Sequence, residues 1–329
     1  MNSLMNIEPP NLDDIVLAAE RLHGLARKTP LLENQILNEE LGFRLIIKPE
    51  CLQRTGSFKF RGAYNKISQI PEKDRAQGVV AFSSGNHAQG VAAASSMFGI
   101  KSTIIMPKTA PRAKIENTRA LGGDVILYDR EHDDREQMGA DICAKTGAII
   151  VPPFDDPLIM AGQGTVGLEI ANQTKHMGIK PDLVLIPAGG GGLVSGSAIA
   201  ISELMGCDIM SVEPDDFDDT KRSLVSGSRQ KIAPGASSIC DALLSPTPGE
   251  LTFSVNHRLL KGGLSVSDDE ALSAMRTALQ SFKIVVEPGG AVALAAALTG
   301  KCDVDGKVVV VVCSGGNVDP DMLARSLEA

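Results

Sequence analysis

The chain has 329 residues, 43% of them hydrophobic, with no tryptophan and a formal net charge of −8. That length is ample for one large or two moderate domains, and the acidic balance excludes a general nucleic-acid binder, which needs a basic face. The six cysteines are scattered without a C-x-x-C pair and the five histidines form no H-E-x-x-H, which excludes a disulfide frame or a zinc site and leaves reduced cytoplasmic thiols as the expectation.

No basic segment followed by an apolar run opens the chain, so no signal peptide is expected. Asn11 caps a helix through about Ala26, with Ile15, Ala18, Ala19 and Leu22 at helical spacing, and Thr29-Pro30 stops it. Phe43 to Lys48 reads as a short strand leading to Thr55-Gly-Ser-Phe-Lys59-Phe-Arg-Gly-Ala63 and a helix from about Phe60. A regular alternation follows: strand Val79–Phe82, alanine-rich helix His87–Phe98, strand Ser102–Met106, helix Arg112–Leu121 started by Pro111, strand Val125–Tyr128, helix Asp133–Lys145 and strand Ala148–Val151. After a helix from about Thr165 to Thr174 come strand Leu183–Pro187, helix Leu193–Met205 and strand Asp208–Val212. Residues 215–242 are the least regular stretch, read as surface loop and short helix. The tail reads as helix Asp268–Phe282, a short apolar run Ile284–Val286, helix Gly290–Leu298, strand Val308–Val312 and a last helix from Asp319. The most apolar run, Val308 to Cys313, is far too short to span a bilayer, so no membrane partner is expected. Short apolar strands alternating with helices predict an α/β protein with parallel sheets covered on both faces, and their number predicts two doubly wound lobes.

Ligands of such sheets bind beyond the C-terminal strand ends, so the loops there are the candidate site. Lys59 lies between two phenylalanines, which desolvate its ammonium and favour an amine nucleophile or base; a solvated helix lysine is the plainer alternative. Strand Val79–Phe82 exits into Ser83-Ser-Gly-Asn-His-Ala-Gln89, polar groups at a helix N-terminus. Strand Leu183–Pro187 exits into Gly189-Gly190-Gly191-Gly192-Leu193, whose bare N–H groups can wrap a phosphate with the aid of the helix dipole. Beyond Asp208–Val212, the carboxylates of Glu213 and Asp219 with a backbone carbonyl between them can hold a hard divalent cation, or form a solvated acidic loop. Strand Val308–Val312 ends at Cys313-Ser-Gly-Gly-Asn317, with Ser314 facing the cleft or capping a turn.

An NAD-dependent Rossmann enzyme is the different-class alternative, and a serine hydrolase is excluded. An NAD-dependent Rossmann unit would use Gly189 to Glu213, roughly twenty residues apart as that motif wants, but no G-x-G-x-x-G frame fits the glycines. A serine hydrolase on Ser314 needs a later histidine, and the last is His257.

A lysine amine, a phosphate cup, a polar loop and a strand-end serine are the parts that pyridoxal phosphate requires. Taken together, Thr55 to Ala63, Ser83 to Gln89, Gly189 to Gly192 and Cys313 to Asn317 resemble the fold-type-II pyridoxal-phosphate enzymes, most closely the serine racemase and threonine/serine dehydratase (ammonia-lyase) family. The likeness covers nearly the whole chain in one order. It implies a large cofactor-binding domain of residues 1–52 and 151–329 with a small domain, 53–150, inserted in it.

By that resemblance Lys59 carries the cofactor and takes the substrate's Cα proton, with Phe58 and Glu287 beside the ring. Gly189, Gly190, Gly191, Gly192 and Leu193 hold the phosphate, Asn86 the ring hydroxyl and Ser314 the pyridine nitrogen. Ser83, Ser84, Gly85, Asn86 and His87 receive the substrate carboxylate, and Ser84 is placed as a racemase-type acid/base. Arg135 resembles a cleft arginine suited to a second substrate carboxylate, a surface helix arginine being the alternative. Glu213, the Phe217 carbonyl and Asp219 match a structural Mg2+, Mn2+ or Ca2+ site. The implied activity is dehydration of a 3-hydroxy amino acid (threonine, serine or 3-hydroxyaspartate), with racemisation as the alternative, by a cytoplasmic homodimer. Where the family has Ala-Asp-Gly this chain has Cys240-Asp241-Ala242, which bears on the pocket's shape. A chain that ends at Ala329 leads to the expectation of no isoleucine feedback domain and a catabolic role.

Overall fold

The computed structural model describes residues 7–83, 85–129 and 132–328. Its strands are β1 (Leu32–Glu33), β2 (Arg44–Pro49), β3 (Val79–Phe82), β4 (Ser102–Pro107), β5 (Gly123–Tyr128), β6 (Ile149–Ile150), β7 (Leu183–Pro187), β8 (Asp208–Pro214), β9 (Gly262–Val266) and β10 (Val308–Cys313). They form two sheets, one in the order β1-β2-β10-β7-β8-β9 and one in the order β5-β4-β3-β6. Among the described strands only β1 runs antiparallel, on the edge of the larger sheet. The two parallel-sheet lobes expected from the alternation are therefore present.

Strand β10 shows why an unbroken valine run is needed. It lies between β2 and β7, with Val310 level with both Ile46 and Val184. Val309 and Val311 pack toward the alanine-rich helix Pro288–Leu298, and Val310 and Val312 toward helix Gly192–Leu204, so both faces of the strand are dry. In the smaller lobe, helices Lys59–Ile67 and Asn86–Met97 cover one face of the four-stranded sheet. Helix Arg135–Thr146 covers the other through Met138 and Ile142.

The helix expected from Thr165 begins at Pro157 and runs to His176. Its early glycines are packing residues: a Cβ on Gly164 would lie 2.7 Å from the Gly196 carbonyl oxygen, so the two helix backbones meet there. The first helix ends at Leu22 because the chain turns at His23, and the apolar run Ile284–Val286 has no regular secondary structure. Helices Gln35–Leu41 and Glu250–Leu259 and strands β1 and β9 were not expected, and helix Asp219–Ser226 is the ordered part of the irregular stretch.

A charged cluster joins the two halves of the core. The Arg61 guanidinium donates to Glu50 at 2.7 Å and to Glu169 at 2.8 Å, and Lys48 Nζ donates to Glu169 at 2.5 Å. Arg61, Lys48 and Glu50 are almost fully buried. Charges at that depth persist only when paired on all sides, and these pairs fix helix Lys59–Ile67 against β2 and the long helix Pro157–His176.

Candidate active site

Lys59 opens its helix at a turn stitched to the end of β10. The Phe58 N–H donates to the Ser314 carbonyl at 3.1 Å, and Ser57 bridges Gly315. Thr55 holds a left-handed φ of 66°, a strained setting for a β-branched residue, and its carbonyl accepts from Asn317 Nδ2 at 2.8 Å. The Lys59 amine donates to the Pro153 carbonyl at 2.8 Å and stands 5.2 Å from the centre of the Phe58 ring. The side chain retains some exposure toward the cavity, but its amine lies deep, and burial pushes the pKa down to about 8. A useful fraction of neutral amine is therefore present near neutral pH.

The cavity in which Lys59 lies encloses about 410 Å³. It is also lined by Phe58, Ser83, Gly85, Asn86, His87, Arg135, Gly189 to Gly192, Leu193 and Ser314, so most of the sequence-derived residues converge there. The glycines connect β7 to helix Gly192–Leu204. Gly191 has φ 97°, and a Cβ on Gly190 would run into the Phe154 ring. Thr252 Oγ1 donates to the Gly190 carbonyl at 2.7 Å, so the loop is fixed from behind and its N–H groups are left for a ligand. An amine beside a glycine cradle at a helix N-terminus fits a phosphate-bearing aldehyde. When bound, pyridoxal phosphate would be held at its carbonyl carbon by Lys59 and at its phosphate by the Gly189–Leu193 backbone.

The loop after β3 brings a second helix N-terminus to the cavity. Gly85 N–H donates to Ser83 Oγ at 3.1 Å, and helix Asn86–Met97 starts directly behind it. Ser84 lies outside the described residues. The His87 imidazole is turned away: its Nε2 donates to the Val151 carbonyl at 2.9 Å, and burial, then the nearby Lys59 charge, pushes its pKa down to about 3. It is neutral, and Nδ1 is left as an acceptor, so what His87 can offer a carboxylate is its backbone N–H. Asn86 Nδ2 donates to Glu287 Oε1 at 2.5 Å, and Asn86 Oδ1 accepts from Asn317 Nδ2 at 2.8 Å.

Glu287 lies behind Asn86 and lines an adjoining outer cavity of about 890 Å³, which it shares with Ser83, Lys114, Arg135 and Asp241. Arg135 is exposed and lines both cavities. Burial raises the pKa of the Glu287 carboxyl, with Lys114 acting in the opposite sense.

Glu213, Phe217 and Asp219 line neither cavity. The Glu213 carboxylate accepts N–H bonds from Thr220 and Lys221, at 2.9 and 2.8 Å, across the start of helix Asp219–Ser226. That engagement removes it as the ribose-binding acid of a dinucleotide unit. Burial raises the Glu213 pKa well above its usual value, with the Asp219 charge adding to it, and burial lifts Asp219 to about 7. Asp219 Oδ2 is buried without a hydrogen-bond partner. Two repelling carboxylates with an orphaned oxygen suit a hard cation, although no group of three or more His, Cys, Asp or Glu side chains among the described residues is arranged around a metal.

Sequence reasoning missed the Pro153 carbonyl, Phe154, Thr252 and the pair Lys114–Asp241. The first acts through its backbone and leaves no residue-type signal. The others acquire meaning only through contacts distant in sequence.

The chain matches the model of the family described as "Pyridoxal-phosphate dependent enzyme" over residues 22–315. It is 41% identical over 315 residues to the L-threonine ammonia-lyase of Thermotoga maritima, covering 95% of this chain and 77% of that protein. It is 42% identical over 316 residues to an L-threo-3-hydroxyaspartate ammonia-lyase of a Pseudomonas species, covering 96% and 98%. The structure of maize serine racemase superposes with a TM-score of 0.90 at 33% identity, covering 97% of each chain. With Lys59, the glycine loop and Ser314 in one cavity, these matches establish that the chain belongs to the fold-type-II pyridoxal-phosphate-dependent enzymes.

Proposed function

We propose that the protein is a pyridoxal-phosphate-dependent ammonia-lyase that converts a 3-hydroxy amino acid (threonine, serine or 3-hydroxyaspartate) to a 2-oxo acid and ammonia. The carrying observation is the Lys59 amine, lowered to about 8, in the same cavity as the Gly189–Leu193 cradle and the neutral Ser314. The names of the relatives, threonine and hydroxyaspartate ammonia-lyases at about 40% identity, support the same reading.

The cofactor, when bound, withdraws electrons from the substrate's Cα and makes its proton removable. Lys59 would take that proton at Nζ, and a pKa of about 8 suits a base that must also give the proton up. The Gly189–Leu193 N–H groups fix the phosphate, and Phe58 packs beside the ring. Ser314 would offer the pyridine nitrogen a hydroxyl, which does not force that nitrogen to carry charge. Charge at Cα is then relieved by prompt loss of the β-hydroxyl, not stored. Ser83, Gly85, Asn86 and the His87 N–H orient the carboxylate, and Asn86, held by Glu287 and Asn317, meets the ring hydroxyl. Net loss of water gives an enamine, which tautomerises and hydrolyses to the 2-oxo acid and ammonia.

Purified protein loaded with cofactor and offered L-threonine, L-serine and threo- and erythro-3-hydroxyaspartate is expected to release ammonia from at least one. Ammonia from none of them would overturn the reading. Racemisation through Lys59 and Ser84 is the second reading, favoured by the likeness to serine racemase. Ser84→Ala should then abolish racemisation and spare dehydration, and equal loss of both would reduce Ser84 to a binding role.

Arg135, at the mouth of both cavities, would meet the second carboxylate of 3-hydroxyaspartate. Glu213, the Phe217 carbonyl and Asp219 would hold a divalent cation (Mg2+, Mn2+ or Ca2+) that fixes the turn behind the larger sheet. Residues 53–150 are taken as the small domain inserted in a large one of 1–52 and 151–329. A cytoplasmic homodimer is the assembly that fits the family. Among the described residues no helix is long and apolar enough to cross a membrane.

A further inference from the structure

Lys114 is a buried cation to which the proposed chemistry gives no role. It lies on helix Arg112–Ala120 of the four-stranded lobe and is only 5% exposed. Its Nζ reaches across the cleft to Asp241 Oδ2 at 2.6 Å and Glu287 Oε2 at 3.4 Å, both carried by the six-stranded lobe. On the way its methylene stem lies flat on Gly85, where a Cβ would come within 2.6 Å of Lys114 Cδ. One side chain thus touches the carboxylate loop and two acids of the opposite lobe. Glu287, in turn, holds the Asn86 amide through its other oxygen. Burial alone would depress the Lys114 pKa, but Glu287 and Asp241 outweigh it and the ammonium stays charged.

An ammonium at that depth is costly unless it is paired, and both of its partners lie across the cleft. Helix Arg112–Ala120 is held in its own lobe by buried Ile115 and Thr118 and does not need this pair to pack. The bond therefore fixes the distance between lobes at the point where Gly85 to His87 face the cavity.

We propose that Lys114 is a positioning residue that clamps the loop Gly85–His87 to Asp241 and Glu287, and so sets how firmly the substrate carboxylate is held. The inference rests on the functional reading above for its substrate. Cutting the clamp lets the loop drift from the cavity, weakening substrate binding more than the chemical step that Lys59 performs.

The test uses the full-length, cofactor-loaded protein with Lys114→Met, Lys114→Arg, Asp241→Asn and the double variant Lys114→Met/Asp241→Asn. Hydrogen–deuterium exchange of the peptides spanning Gly85–His87 and Asp241 should quicken about tenfold in Lys114→Met and return near wild type in Lys114→Arg. KM for the amino acid should rise about tenfold, with kcat within about threefold, and arginine should restore most of it. The double variant should be no worse than Lys114→Met alone, because both changes remove one interaction. Unchanged exchange and KM in Lys114→Met, or additive effects in the double variant, would overturn the clamp. If Lys114→Met does not fold, Asp241→Asn carries the same two readouts, and wild-type values there would overturn it as well. Exchange needs no turnover, so a protein that releases no ammonia refutes the activity while the clamp is still decided by exchange.

Discussion

Replacing Lys59 by methionine should leave the cofactor-free protein more stable than wild type while destroying its activity. The amine is held at about 8 against an ordinary 10.5. At about 1.4 kcal/mol per unit, carrying its charge in the folded state costs on the order of 3 kcal/mol. Between pH 8 and 10.5 the unfolded chain holds more protons than the folded one, so the cost is full below pH 8 and fades as pH rises through that window. Methionine removes the charge at similar length. Against the gain stand the Pro153 carbonyl left without its donor, about 1 kcal/mol, and screening by water in the cavity that the half-buried side chain lines. A net gain of about 1–2 kcal/mol, or a Tm higher by roughly 2–3 °C for a chain of this size, is expected near neutral pH. Thermal unfolding of both cofactor-free proteins across the interval from neutral to alkaline pH checks it, the gap narrowing as pH rises. A methionine variant that melts below wild type at neutral pH, or a gap indifferent to pH, would refute the desolvated amine and with it the basis for its reactivity.

Arg61→Met leaves the buried Glu50 with only Lys48 and Thr29 for partners and should cost about 3–5 kcal/mol. A denaturation midpoint equal to wild type would show that the cluster is not paired as described. Gly190→Ala forces a methyl against Phe154 in the phosphate cradle, an overpacking of about 1–3 kcal/mol. The cofactor's affinity, followed by absorbance titration, should fall roughly 10- to 100-fold, and an unchanged affinity would move the phosphate elsewhere. Because Glu213 and Asp219 repel each other in a dry turn, added Mg2+ or Ca2+ should raise the wild-type Tm and a chelator should lower it. Asp219→Asn should respond to neither, and a wild-type Tm blind to both would leave the turn without a metal.

The sequence revealed what depends on composition over short windows. β3, β7 and β10 are buried on both faces and read directly as apolar runs, and the loops after them carried most of the site. Glycine proved ambiguous. At Gly189–Gly192 it lines the cavity, but at Gly162, Gly164 and Gly167 it marks the close approach of neighbouring helix backbones, and the expectation of a helix only from about Thr165 missed the first turns of helix Pro157–His176. Strand β9 opens on two glycines, Gly262 and Gly263, and has no β-branched signal until its last residue. Contacts made at long range had no local mark. Lys114 and Asp241 are 127 residues apart, and the Pro153 carbonyl that receives the Lys59 amine belongs to no motif. His87 was expected to face the substrate, and only its geometry shows the ring spent on Val151.

The pairs around Arg61 limit what can be transplanted. A designer who copied only the segment Thr55–Ala63 into another scaffold would import a guanidinium whose acids lie 11 residues before it, at Glu50, and 108 residues after it, at Glu169. Without both, the graft would bury an unmatched charge two positions from the reactive amine, and the turn would refold to expose it. The smallest portable unit of this active site is therefore a discontinuous one: the lysine turn, the strand that precedes it and a stretch of the long helix, moved together or not at all.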